Sequence, residues 1–419
     1  MTIDRESTAK SLFMKEVFII STGEIVNGKT AGARRMVNIA SSLAAVNVNV
    51  FLCSLSEVNQ APVEIPEIKH GVYYMKSNNP TGKSVLNTLR FVRTVNNFMA
   101  RRESEIVIFL YPTVFVLKDF FYLVYFKLLK RRRFFCEINE LRAASAFSGT
   151  PPERPLAWLL YWLKSSFEYV KYKLNELQVL FYDGIVVIST SLESFFSHYT
   201  SRILKIPILC DSDLIDSLTH PRFSPDSPFK ICFAGYISFE KEGFDILLEA
   251  LFKVNQDYRT ELFLYGILED IDRIKLEKLS AEYDLHDKVF YMGNIEPERL
   301  QDEFRKYHLL ILPRPLKKRT KYGFSTKLSE YLVSGIPVLV TDVSDNALYI
   351  RDGFNGYIIT PGSASVMADK ILEIIRDYNW KANILVENAY QTVREKFDYR
   401  LFSNDYVNFF WPQEKKQAQ

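Results

Sequence analysis

Cysteine is scarce. The 419 residues hold four, Cys53, Cys136, Cys210 and Cys232, scattered along the chain with no pair at metal-ligand spacing. Each falls in or beside a predicted strand, so they read as small buried hydrophobes in a reducing compartment, and no metal is expected. No uncharged apolar run is long enough to span a bilayer. The opening MTIDRESTAK carries charge where an export signal needs an apolar core, so a cytoplasmic chain is expected. The glycines lack G-x-G-x-x-G spacing, which leaves a dinucleotide site poorly supported. No nucleic-acid module signature is present, and nucleic acid is not an expected partner.

What is present is globular. Hydrophobic residues make up 47% and charged residues 25%, enough for two or three domains with their own cores. The net charge of +3 is unevenly spread. Residues 1–220 carry 26 basic against 20 acidic side chains and residues 221–419 carry 27 against 30, so the N-terminal half meets the more acidic partner. Val17–Ser21 reads as a buried strand, followed by a glycine-containing loop through Gly28, a helix over Ala33–Val46 and a second strand over Val48–Leu55. This order opens a Rossmann-like half. Further strands fall at Val72–Met75, Ile106–Tyr111 and Phe134–Ile138, the last leading to Asn139 and Glu140 at its C-terminal end, where open α/β sheets place ligands. Asp211–Pro228, with three prolines and several Ser and Asp, reads as a linker. A second such half begins at Phe229–Ala234.

Two segments interleave aromatics with positive charge. Val114–Arg133 ends in Lys130, Arg131, Arg132 and Arg133, and Leu156–Leu180 sets Trp158, Trp162 and Phe167 beside Lys164, Lys171 and Lys173. Such segments suit an anionic bilayer surface, so peripheral contact with the inner face of a membrane is expected. Core helices with solvated basic ends are the alternative.

The chain is organised around Tyr322–Thr341. A Gly-Phe turn leads to a short helix whose Leu328, Tyr331 and Leu332 share one face, with Ser325 or Thr326 as its expected cap. Gly335 and Pro337 end that helix, and a doubly buried strand follows at Val338–Val340. A helix N-terminus aimed this way suits a phosphate, and Glu330, a turn inside, suits ligand hydroxyls. The letters resemble the E-G-F-x-x-P/K-x-x-E-A/Y-x-x-x-G-x-P-V signature of the family 4 retaining glycosyltransferases. Gly323, Phe324, Lys327, Glu330, Tyr331, Gly335, Pro337 and Val338 match it, while Tyr322 replaces the first acid. FAGYISFEKEGFDILLEAL is similar to the family's F-x-G-R-x-x-x-x-K-G-x-D-x-L-L-x-A. Gly235 and Lys241 match, Tyr236 replaces the arginine, and Glu242 is an extra residue before Gly243.

The resemblance implies an α/β protein of two Rossmann-like domains (GT-B) facing each other across a cleft. Residues 1–210 would form the acceptor domain, 211–228 the linker and 229–398 the nucleotide-sugar domain, with a helix in 399–419 crossing back. It implies that Lys241, Arg314 and Glu330 serve catalysis, the two cations at the leaving diphosphate and Glu330 at the ribose hydroxyls. Gly235, Tyr236, Asn294, Tyr322, Gly323, Phe324, Ser325, Thr326 and Lys327 would bind the donor, and Gly28, Asn139 and Glu140 would border the acceptor. A phenol at 322 in place of a carboxylate implies a preference for a deoxy or N-acetylated sugar. The expected activity moves a sugar, with retention, from a nucleotide diphosphate sugar to a glycan or lipid-linked acceptor, with no further cofactor. The rival is a non-catalytic module of the same fold that binds a nucleotide or glycan and docks on a partner transferase.

Overall fold

The computed structural model of the chain describes residues 14–21, 25, 30–58, 63–64, 71–77, 85–111, 116–147, 154–215 and 220–413. The apolar runs of the N-terminal half become β1 (Lys15–Ser21), β2 (Asn49–Val58), β3 (Val63–Glu64), β4 (Val72–Ser77), β5 (Glu105–Leu110), β6 (Arg133–Ile138), β7 (Gly184–Val187) and β8 (Ile203–Lys205). They form one sheet in the order β3-β4-β2-β1-β5-β6-β7-β8, parallel except where β3 meets β4. Helices on both faces leave β1, β5 and β7 almost wholly buried, which is why they read as unbroken apolar runs. The helices are α1 (Ala31–Ala44), α2 (Val85–Met99), α3 (Val116–Tyr122), α4 (Pro155–Leu177) and α5 (Thr190–Phe196).

The second sheet holds β9 (Phe229–Ala234), β10 (Thr260–Tyr265), β11 (Val289–Gly293), β12 (Leu309–Leu312), β13 (Val338–Thr341) and β14 (Tyr357–Ile359). All are parallel, in the order β11-β10-β9-β12-β13-β14. Around it lie α6 (Phe239–Glu242), α7 (Phe244–Val254), α8 (Asp270–Glu282), α9 (Pro297–Phe304), α10 (Lys318–Tyr322), α11 (Lys327–Leu332), α12 (Asn346–Tyr349) and α13 (Ala364–Lys396). Sheet order reverses between β1 and β5 and again between β9 and β12. A crevice at the C-terminal ends of the strands opens at such switch points.

Helix α13 runs unbroken to Lys396, because Tyr378, Ala382, Leu385, Val386, Ala389 and Val393 keep a buried row at helical spacing. One sequence expectation changes in part. Of the first aromatic-basic segment, Tyr122, Leu123 and Phe126 belong to the core, and a π-helical turn over Leu123–Leu129 continues α3. Tyr122 and Phe126 are therefore packing residues, whereas Leu117, Phe120, Leu128 and Leu129 of the same segment are exposed.

The last helix, α14 (Ser403–Phe410), lies against the first sheet. Phe410 packs on Phe109 and Phe135, and Tyr406 on Phe109. Helix α14 therefore packs on the sheet that holds β5 and β6.

A buried ion pair fixes α1 against β6. Arg35 donates from Nε to Glu137 Oε1 at 2.5 Å and from its other nitrogens to the carbonyls of Pro207 and Ile206 at 2.6 and 3.0 Å. Removing one partner leaves a buried charge uncompensated, so Arg35→Ala should cost about 3–5 kcal/mol. Arg35→Met with Glu137→Leu should recover most of that loss. Urea midpoints decide it; an Arg35→Ala midpoint equal to the parent's would contradict the account.

Candidate functional site

The strand ends of both sheets face a cavity of about 920 Å³, walled on one side by Gly32, Arg34, Asn139 and Glu140 and on the other by residues of the second sheet. Gly235, Tyr236, Lys241, Asn294, Arg314, Gly323, Phe324, Ser325, Thr326, Lys327 and Glu330 all reach it. Segments far apart in the sequence thus meet at one place. Gly28 lies outside the described residues.

Glu242 organises the chemistry. It is fully buried and receives Arg314 in a two-pronged contact, Nε to Oε2 and the second nitrogen to Oε1, both at 2.9 Å. Lys327 Nζ donates to Oε1, also at 2.9 Å. Burial alone would push the Glu242 carboxyl up, but Arg314 and Lys327 hold it well below the usual carboxylate range. One ionised carboxylate therefore holds two cations at the cavity wall. The sequence reading treats Glu242 as an inserted residue, and its only signal was an acid wedged between Lys241 and Gly243. Gly243 adopts φ +73°, and a Cβ there would lie 2.5 Å from the Pro313 carbonyl, so glycine lets the Glu242 turn pack against the segment that carries Arg314.

Lys241 stands on the single turn α6, where Ser238 caps the helix by accepting from its backbone N–H. It makes no ion pair among the described residues. Burial, with Arg314 nearby, pushes its ammonium down to about 8, against the pull of Glu242. Lys327 reaches the wall by crossing Gly235, where a Cβ would sit 2.0 Å from Lys327 Cε. That close approach is the reason for glycine at 235.

Other site expectations are revised. Arg314 is not a lone cation facing the cleft, because Glu242 engages it on two nitrogens. Helix α11 has only six residues, and neither Ser325 nor Thr326 caps it through a side chain. Ser325 Oγ is buried without a hydrogen-bond partner among the described residues, as is Asn139 Oδ1. The Tyr236 hydroxyl donates to Glu269 at 2.5 Å, and that bond, with burial, pushes the phenol up to about 12. Tyr322 does not line the cavity. Its ring packs edge-on against Phe195 of the facing domain, and its carbonyl accepts from Ser189 Oγ at 2.7 Å. The expected preference for a modified sugar therefore loses its geometric basis at Tyr322.

Glu330 is held across the cleft by Arg34, 2.7 Å away on α1. Burial raises its carboxyl, against Arg34 and Lys327. Sequence reasoning missed Arg34, for which an adjacent Arg-Arg pair opening a helix was the only cue. Thr190 N–H donates to Asp345 Oδ2 at 2.9 Å, a further tie between the two halves.

Two parallel sheets with a cleft between their switch points define the GT-B fold. Residues 218–392 match the family model described as glycosyl transferases group 1. An uncharacterized glycosyltransferase of Methanocaldococcus jannaschii is 21% identical over 239 residues, 54% of this chain and 58% of that protein. The match therefore spans less than two thirds of that relative. Sucrose-phosphate synthase from Thermosynechococcus elongatus superposes with a TM-score of 0.68 at 16% identity, covering 94% of this chain and 98% of that one. HepE of Anabaena, solved in complex with UDP-glucose, gives 0.65 at 15% identity, over 94% of this chain and 98% of that one. At such identities the structural likeness shows the fold.

The Lys241 environment generates a pH dependence. Nucleoside diphosphate should bind the protonated ammonium, so affinity should fall as pH rises through about 8. Titration calorimetry across that range would show the decline in the parent and its loss in Lys241→Gln. A parent affinity flat through that window would remove Lys241 from the anion site. A second outcome concerns Glu242→Gln, which leaves Arg314 and Lys327 buried beside a neutral amide. It should lower stability by about 3–5 kcal/mol in denaturant melts.

Proposed function

We propose that the chain transfers a glycosyl group from a nucleoside diphosphate sugar to a glycan or lipid-linked acceptor, with retention of configuration, in the synthesis of a cell-surface polysaccharide or glycan. The observation that carries this reading is the set of cations gathered on one cavity wall: Lys241, with no ion pair among the described residues, and Lys327 and Arg314 held by one carboxylate. The demanding step is departure of a charged diphosphate. Fixed cations aimed at the oxygens where charge develops stabilise that departure without reorganising at the moment of reaction. The reading assigns no part of it to a metal.

Glu330 is assigned to the ribose hydroxyls, which requires the donor to take the place of Arg34. The unsatisfied Ser325 Oγ and Asn139 Oδ1 are then waiting for ligand donors, since buried polar atoms are normally paired. Asn139 and Glu140, at the end of β6, face the acceptor. HepE, which shares the fold, was crystallised with UDP-glucose, and the proposal extends a nucleotide sugar of that kind to this chain. The non-catalytic alternative draws on Tyr236 and Tyr322, phenols that stand where the resembled family keeps charged groups.

Glu330→Ala tests the assignment. The fold should survive, while donor affinity falls by about 1.5–3 kcal/mol for loss of a charge-assisted acceptor. Calorimetry on the folded variant reads it directly, and an unchanged dissociation constant excludes Glu330 from the donor site.

A further inference from the structure

Helix α4 presents a long exposed apolar face. Leu156, Leu160, Leu163, Phe167, Val170 and Leu174 recur at alternating steps of four and three, and each is 55–71% exposed. Ser165 and Glu176 are its only buried residues, so α4 contributes little to the core. In its first half the apolar surface widens to Trp158, Leu159 and Trp162. A paired helix needs only the narrow stripe of two positions per heptad; this band is broader. Lysines 164, 171 and 173 flank the stripe, although Lys173 is paired with Glu176 at 2.6 Å. Glu168 stands in the same row as Lys164 and Lys171, so that flank carries two lysines and one acid.

We infer that α4 is a docking helix for an anionic bilayer surface, its leucines and Phe167 entering the headgroup boundary and Lys164 and Lys171 meeting acidic lipid. Tryptophan at the edge of an apolar band and lysines that reach outward are the side chains such a boundary favours. The helix lies on the membrane and does not cross it: among the described residues no helix is long and apolar enough to span. The foot of α4 also reaches the cleft, where Asn175 and Glu176 line the cavity one or two residues from Leu174. Docking therefore brings the acceptor side of the cleft to the bilayer and selects the lipid-linked acceptor of the two classes proposed above. That consequence rests on the transfer reading, whereas the docking itself does not.

The test is sedimentation of the whole protein with phosphatidylcholine vesicles made with and without phosphatidylglycerol. The protein should bind the anionic vesicles and be released by high salt. Phe167→Glu with Leu163→Glu should abolish binding, and these exposed positions leave the fold intact in melting curves. Lys164→Gln and Lys171→Gln should each weaken binding roughly fivefold, the effect of one basic residue at an anionic surface. Nucleoside diphosphate affinity, measured on the same variants, should not move, so loss of docking and failure of the donor assignment are read separately. Equal sedimentation of the glutamate variant and the parent overturns the inference. So does a concentration-dependent dimer in light scattering that the glutamate variant abolishes, because the occupant would then be a second copy.

Discussion

A single carboxylate without solvent governs the cleft. Glu242 is affordable in the interior only because Arg314 and Lys327 satisfy it on both oxygens, and neither cation could stay beside the other without it. The pair of cations is thus fixed in the absence of any ligand. Arg314 hangs from the end of β12, Lys327 from α11, and Glu242 closes α6, so three elements of the second sheet are held in register by one charge cluster. Glycine at 235 and 243 is part of the same arrangement, since a side chain at either place would collide with a member of the cluster or its support.

The facing domain completes the cleft from a separate set of constraints. Arg35 is used up inside, tied to Glu137 and two carbonyls, while its neighbour Arg34 projects across to Glu330. Successive helix residues point about a quarter-turn apart, so one arginine of the pair serves the core and the other the cavity. Glu330 consequently stands in an ion pair between the two halves. On the proposed assignment of Glu330 to the ribose, donor entry would break that contact.

Much of the fold could be read from the chain itself. Strands buried on both faces declare themselves as runs such as Val338–Val340, and turn residues such as Gly335 and Pro337 mark where the preceding helix stops. The cleft residues were legible in kind wherever a motif carried them: Lys241, Lys327 and Glu330 all reach the cavity. What the motif could not convey was partnership. Glu242 looked like an insertion because its meaning lies in Arg314, 72 residues away. Tyr322 sat in a donor position by alignment, yet the approach of Phe195 from the other domain draws its ring out of the cavity. Aromatic residues near basic ones read alike in α3 and α4, and only packing separates the buried Tyr122 and Phe126 from the exposed Phe167.

The central claim is that this cleft consumes a nucleotide sugar. It is tested most directly by incubating the protein with a panel of nucleotide sugars and a lipid extract and measuring released nucleoside diphosphate together with sugar recovered in the lipid fraction. The account predicts that at least one donor is consumed, with matching transfer of its sugar, and that Lys241→Gln suppresses both. A donor that binds tightly but is never consumed with any acceptor fraction would contradict it and leave the cleft as a binding site alone.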